Sequence, residues 1–418
     1  MAELIQRRRP VLFKIFALSL YLSFSSTSMA ADEPLPGATL LHKFPSEVYR
    51  LPVLTYSGSL PVLVIWADAH NPEIFNLANP AMNKPAFDVV LWEITAGKIL
   101  KKMPFQIGGV RLPVIAPADT AEQICSDANG MLALAPNLQS LVYPVQVAVR
   151  PGQFASVVMK EIKMLDIKSM RVSSINMKPF DDTEAAFILY APNGRLVIAH
   201  GDRVTIFESG SMKIKSTMKL ARNRNAVFVV QNSIRSVAVS ADGAYLAVSY
   251  DGKIDVFETK TGQIIYQPVP LVTPEMNRKS TQFVCESSML FSATGDRLYV
   301  IENVVQGKQG VAQVRLFDFK NKKELSRFTL PADKRREKIV VGGTAAARGL
   351  IYFTPQGEPR VLQGENILDG TQGALLHKIN AGLAAYVSHD GKYLVRVVVS
   401  PKDATRRIIE SWSLEGVK

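Results

Sequence analysis

Cysteine is almost missing from this chain: Cys125 and Cys285 are its only two. That excludes a close-spaced zinc site and a haem-attachment motif. Histidine is scarce too, with five residues in all. His42, His70, His200, His377 and His389 include no pair at metal-ligand spacing. No Gly-x-Ser-x-Gly elbow is present for a serine nucleophile. No glycine-rich phosphate cradle is present either: Ser209-Gly210-Ser211 reads as a turn, and Gly342-Gly343 lacks the further glycines and the lysine. Asp181, Asp182 and Glu184 read as a charged loop rather than a calcium site. The sequence therefore offers no catalytic constellation, no metal site and no cofactor. Beyond residue 30, no apolar stretch reaches the ~20 residues that cross a bilayer without meeting a charge.

The N-terminus is different. Arg7, Arg8 and Arg9 form a basic region, Ile15 to Phe24 an apolar run, and Ser28-Met29-Ala30 a small-residue cleavage site. Residues 1–30 are thus expected to be a secretory signal, which places the mature chain in the periplasm or outside the cell. Arg8-Arg9-Pro10-Val11-Leu12 loosely resembles a twin-arginine signal, so the export route stays open. The formal net charge is +12. Residues 1–30 hold four basic residues and one acid, and so account for three of those charges. The basic remainder invites an anionic ligand or surface, although nucleic acid is not expected outside the cytoplasm. The densest basic cluster is Lys334, Arg335, Arg336 and Lys338.

Repeats decide the fold. Ser233 to Tyr250 reads SIRSVAVSADGAYLAVSY, a strand, an Asp-Gly turn with both residues at positive φ, and a second strand. Asp251-Gly252 turns into a third strand, Lys253 to Glu258, and Thr261-Gly262 into a fourth. Four such antiparallel strands make one propeller blade. The second half of this unit recurs at Phe87–Phe105, Ser156–Val172, Arg203–Leu220 and Gln313–Leu330, and in stretched form at Arg360–Ile379. The pattern is a large apolar residue, an acid, a short turn and a basic-apolar strand.

The last unit is split. Arg407 to Leu414, RIIESWSL, matches a third strand, and no fourth follows it. Gly37 to Phe44, GATLLHKF, supplies one, and it closely matches GKILKKM at 97–103 and the GALLHKI segment. The expectation is an all-β, seven-bladed β-propeller over residues 37–418, closed by an N-terminal strand that completes the last blade.

Residues 233–266 resemble the YVTN/WD40-like repeat propellers. Ala241-Asp242-Gly243, Tyr245-Leu246-Ala247-Val248 and Val256-Phe257-Glu258-Thr259-Lys260-Thr261-Gly262 carry the likeness. Thr294 to Val300 and Ser388 to Val395 repeat it. The Gly-His dipeptide of typical WD40 repeats is missing, and Leu91-Trp92-Glu93 is the closest approach to Trp-Asp, which puts the buried polar network of those repeats in doubt. The resemblance implies a binding platform more often than an enzyme.

The expected role is accordingly a non-catalytic, protein-binding scaffold or accessory subunit of a cell-envelope assembly. The alternative is a propeller enzyme, a lactonase or quinoprotein-like dehydrogenase subunit, with its site at the channel mouth. Candidate binding segments are the insertion Ala69–Phe87, which His70 opens, Gly108–Gln123 and Leu271–Phe283, together with the 334–338 cluster. His42 and His377 occupy equivalent fourth-strand positions, which makes them structural. Cys125 and Cys285 each precede a methionine, Met131 and Met289, expected to begin an innermost strand. They form a disulfide only if their loops meet over the channel; otherwise they are two thiols.

Overall fold

The computed structural model describes residues 37–45, 53–56, 61–68, 86–106, 133–148, 157–177, 187–221, 234–250, 252–271, 283–306, 309–331, 350–363, 365–380, 384–388, 390–403 and 406–417. They form seven four-stranded antiparallel sheets. Blade 1 is Val53–Tyr56, Val62–Asp68, Ala86–Glu93 and Lys98–Gln106. Blade 2 is Ala133–Leu134, Ser140–Ala148, Val157–Asp166 and Val172–Ser174. Blade 3 is Phe187–Tyr190, Leu196–His200, Arg203–Phe207 and Ile214–Lys219. Blade 4 is Ile234–Val239, Tyr245–Tyr250, Lys253–Glu258 and Ile264–Tyr266. Blade 5 is Phe283–Phe291, Arg297–Gln306, Gln309–Asp318 and Lys323–Thr329. Blade 6 is Leu350–Phe353, Pro359–Gln363, Asn366–Asp369 and Leu375–Lys378. Blade 7 is Ala384–Val387, Tyr393–Val399, Arg407–Ser413 and the N-terminal Thr39–Lys43. The chain is an all-β seven-bladed propeller with the expected closure.

The strands bury both faces because each blade is sandwiched between two others. In blade 4, Leu246, Val248 and Tyr250 join a core with Val197, Ala199, Val204 and Ile206 of blade 3. Between them on the opposite face, Ala247 joins Leu298, Val300 and Phe317 of blade 5. A period of two thus feeds two cores from one strand. Similar clusters join blades 2 and 3, 5 and 6, 6 and 7, and 7 and 1. Each fully buried large side chain in them contributes roughly 1.5–3 kcal/mol. First strands of consecutive blades touch one another from blade 2 round to blade 7, which puts them innermost.

Fourth strands lie outermost and carry a shared irregularity. In blade 4, Val256 pairs with Tyr266 and Phe257 with Ile264, so Ile265 is the extra residue of a β-bulge. The same bulge falls at Leu100, Lys215, Leu325 and Leu376. It also falls at Leu41 of the closing strand, between Leu40↔Trp412 and His42↔Ser411. Thr39–Lys43 is therefore a fourth strand in detail, not only in position.

Three expectations need correcting. Arg360 does not open a third strand: Pro359–Gln363 is a second strand and Asn366–Asp369 the third, which removes the apparent stretching. The Asp242-Gly243 turn is not a two-residue hairpin. Gly243 N donates to Ser240 O and Ser240 N to Tyr245 O, so the loop is longer and only Gly243 takes positive φ, 69°. Met289 does not begin an innermost strand. Phe283 does, and Cys285 sits inside it, at the irregularity between Val284 and Glu286.

Candidate binding face

Antiparallel order fixes where each connection emerges. Links from strand one to two and from three to four leave on one face. Links from two to three, and from each blade to the next, leave on the other. On the first face, all seven one-to-two connections have five residues, as at 191–195, 240–244 and 354–358. Those of blades 2 to 7 share a hydrogen-bonded design. The fourth residue donates its N–H to the first residue's carbonyl, as Gly194 does to Ala191, Gly295 to Ser292 and Gly391 to Ser388. That fourth residue has positive φ in blades 2 to 7, and is glycine in all six but blade 2, where it is Leu138 at 59°. Side chains lock three of these loops. Ser240 Oγ donates to Asp242 Oδ1 (2.6 Å) and accepts from Tyr245 N. Ser388 repeats both bonds with Asp390 and Tyr393, and Ser292 with Asp296 and Arg297. The serine bond holds the Asp242 carboxyl below its usual range, against a smaller opposing effect of burial.

The opposite face receives every long connection. Residues 69–85, 107–132, 175–186, 220–233, 267–282 and 330–349 all start and end at strand termini on that side. Strands of blades 1, 2 and 5 are also lengthened there, as in Ser140–Ala148 with Val157–Asp166 and Arg297–Gln306 with Gln309–Asp318.

Polar side chains fasten the chain where it crosses this face. Arg315 Nη2 of blade 5 donates to Val269 O, just behind the fourth strand of blade 4 (2.8 Å). Arg396 Nη1 of blade 7 donates to Asn380 O behind blade 6 (3.1 Å). Lys253 of blade 4 reaches Ala221 O, and Gln363 of blade 6 reaches Pro331 O. The two arginines are buried and paired. Arg315 meets Glu302 at 3.1 Å and Glu324 at 2.7 Å, and lies over the Phe317 ring. Arg396 meets Glu410 at 2.6 Å and lies over Trp412. Asp255, Arg315 and Glu410 occupy one register position of the third strand, three residues before its end. There Asp255 takes bonds from Tyr250 and Gln267. The buried polar network that the missing Trp-Asp dipeptides put in doubt is thus present in another form. Trp92 itself is an apolar core residue, with Phe44 edge-on at 5.5 Å.

The two carboxylates on Arg315 differ. Burial raises the Glu302 carboxyl above its usual range despite the arginine's pull. At Glu324 burial also pushes upward, but hydrogen bonds from Arg327 and Arg315 outweigh it and bring the carboxyl to about 2.

His70, Cys125, Lys334, Arg335, Arg336, Lys338 and His389 lie outside the described residues, as do Asp181, Asp182 and Glu184. The described strand ends flanking the first six all belong to the loop face. Cys285 is placed by its backbone on an innermost strand. His42 and His377 share a register position, opposite Ser411 and Ile367, as expected. His42 Nε2 lies 3.0 Å from Thr95 O of blade 1. His200 is buried at the end of a second strand. The inter-blade anchors Arg315, Arg396, Lys253 and Gln363 were not found from the sequence. A lone polar residue in an apolar strand was their only signal.

The innermost strands carry just two charged residues, Arg235 and Glu286, on neighbouring blades. Among the described residues, no three His, Cys, Asp or Glu side chains cluster as metal ligands. No helix of the described residues is long and apolar enough to cross a membrane.

No protein-family model matches the chain. No curated protein matches it either. Among solved structures, it is similar to the β-propeller domain of Cps50 (Swd1) from Myceliophteria thermophila, at 10% identity and a TM-score of 0.49, over 90% of this chain and 99% of that one.

Proposed function

We propose that this chain is an exported propeller that binds a protein partner through its loop face, as a scaffold or accessory subunit of a cell-envelope assembly. The observation that carries this reading is the asymmetry of the ring. One face is closed by short, hydrogen-bonded connections, and the other receives every long one. Loops held by a rigid frame are where recognition usually resides. The near-neutral, charge-poor innermost strands favour binding over channel chemistry. Export rests on the basic and apolar pattern of residues 1–30.

Affinity capture of the tagged protein from its native envelope tests the proposal. A stoichiometric protein partner is expected. Lys334→Glu with Arg335→Glu and Arg336→Glu should release it, and Lys260→Glu on the short-turn face should not. Recovery of a bound small molecule without any protein would refute the reading. N-terminal sequencing of the exported protein should begin at Ala31.

A further inference from the structure

The rim of the ring is charged unevenly. The seven fourth strands hold nine basic residues and one acid, Glu324. Their net charge is +8, where the whole chain carries +12. The innermost strands, with Arg235 and Glu286, hold none of it.

Within the rim, three adjoining blades are alike. Blade 6 presents Leu375-Leu376-His377-Lys378, blade 7 Leu40-Leu41-His42-Lys43, and blade 1 Ile99-Leu100-Lys101-Lys102. The bulge aligns them residue for residue at Leu376, Leu41 and Leu100. Cores spanning blades 6 and 7, and 7 and 1, make these three blades neighbours in the ring. Leu375 is 53% exposed, Leu40 and Leu376 are each 39% and Leu100 is 37%. Lys98, Lys102 and Lys378 are exposed on these strands, and Lys43 lies 3.0 Å from buried Glu410. None of the three strands contains an acid.

We infer that this arc of blades 6, 7 and 1 is a docking surface for an anionic phospholipid membrane. The occupant follows from what the arc offers. An added protein strand needs a straight edge in register, and a bulge in every strand together with edge lysines opposes that. A lipid surface needs no register. Flexible ammonium groups meet headgroup phosphates, and protruding leucines enter the headgroup–acyl boundary. The inference does not depend on what occupies the loop face.

Vesicle co-sedimentation tests it. The protein from Ala31 onward is used, since it holds all the described strands and lacks the apolar leader. It should sediment with phosphatidylglycerol-containing vesicles, and not with phosphatidylcholine vesicles. Lys98→Glu, Lys102→Glu and Lys378→Glu together should weaken binding at least about tenfold. Lys213→Glu, Lys215→Glu and Lys219→Glu on blade 3 change the net charge equally and should leave binding within about twofold. Leu40→Ser with Leu100→Ser and Leu375→Ser should weaken vesicle binding further at high salt. All these side chains are exposed, and matching melting curves confirm that the variants fold. Absence of binding to anionic vesicles, or equal weakening by both lysine triples, overturns the assignment. So does binding to soluble polyglutamate that is as tight as to vesicles and insensitive to the leucine changes.

Discussion

Leu138 stands where five other blades have glycine, at φ 59° in the connection between Leu134 and Ser140. The left-handed region costs an ordinary side chain about 1–2 kcal/mol, which glycine's extra unfolded-state freedom offsets in part. Leu138→Gly is expected to stabilise the protein by about 0.5–1 kcal/mol, and Gly243→Leu to destabilise it by more, since a Cβ there would meet Asn193. Thermal melts of the two variants should move in opposite directions. Glu324 gives a test in pH. Its folded carboxyl lies at about 2, against an ordinary value of 4.5. A lowered pKa gives stability that is complete above the unfolded value and is lost as pH falls toward the folded one. Glu324→Gln should therefore cost about 1 kcal/mol at pH 7, the scale of a partly exposed ion pair. That cost should shrink between pH 4.5 and 2. A urea midpoint difference that does not change with pH would mean that the charge is not what Glu324 contributes.

At the scale of the strand, closure is the feature most open to test. Thr39–Lys43 pairs along Arg407–Ser413, Phe44 N donates to Ile409 O, and Ser411 Oγ donates to both His42 O and Ile94 O. Deleting residues 37–44 removes all of this and uncovers Ile409 and Trp92, whereas removing residues 31–36 touches none of it. The first truncation should lower the melting temperature steeply or prevent folding, and the second should barely alter it. Inside the same blade, Arg396 and Glu410 are almost fully buried. Glu410→Ala strands a buried guanidinium and should cost about 3–5 kcal/mol, while Arg396→Met with Glu410→Leu should cost less than that single change. This scale was also the most legible in the sequence. The closing strand could be read because RIIESWSL lacked a partner and GATLLHKF matched two other fourth strands. Blade 6 is hard to divide in the sequence because Arg360 lies in a short second strand, Pro359–Gln363, whose neighbour, Asn366–Asp369, is only four residues long. Alternation cannot divide so brief a pair. The inter-blade anchors were invisible for a different reason. Arg315 and Arg396 act on carbonyls of a preceding blade, and only the assembled ring brings those within reach.

Across the whole molecule, the ring is continuous although the chain is not. Gly37, at φ 79°, packs against Gly416 so closely that a Cβ would lie 2.3 Å from its carbonyl oxygen. The start of the closing strand and the end of the third strand are therefore neighbours, as across the three-to-four turn of any other blade. The two termini meet within blade 7, where backbone hydrogen bonds, the Lys43–Glu410 ion pair and the packing of Phe44 join them without a covalent turn. Moving residues 37–44 to follow Lys418, in a chain that begins at residue 45, restores an ordinary covalent turn there. It shortens the separation of paired residues from most of the chain to a few positions. The loop-closure entropy of that pairing should fall accordingly, and refolding should be faster. The rearranged chain is expected to keep the native circular-dichroism spectrum and to melt at or above the temperature of the original. Loss of the native spectrum would show that the strand must enter from the N-terminal side. An unchanged refolding rate would place closure of the ring after the rate-limiting step.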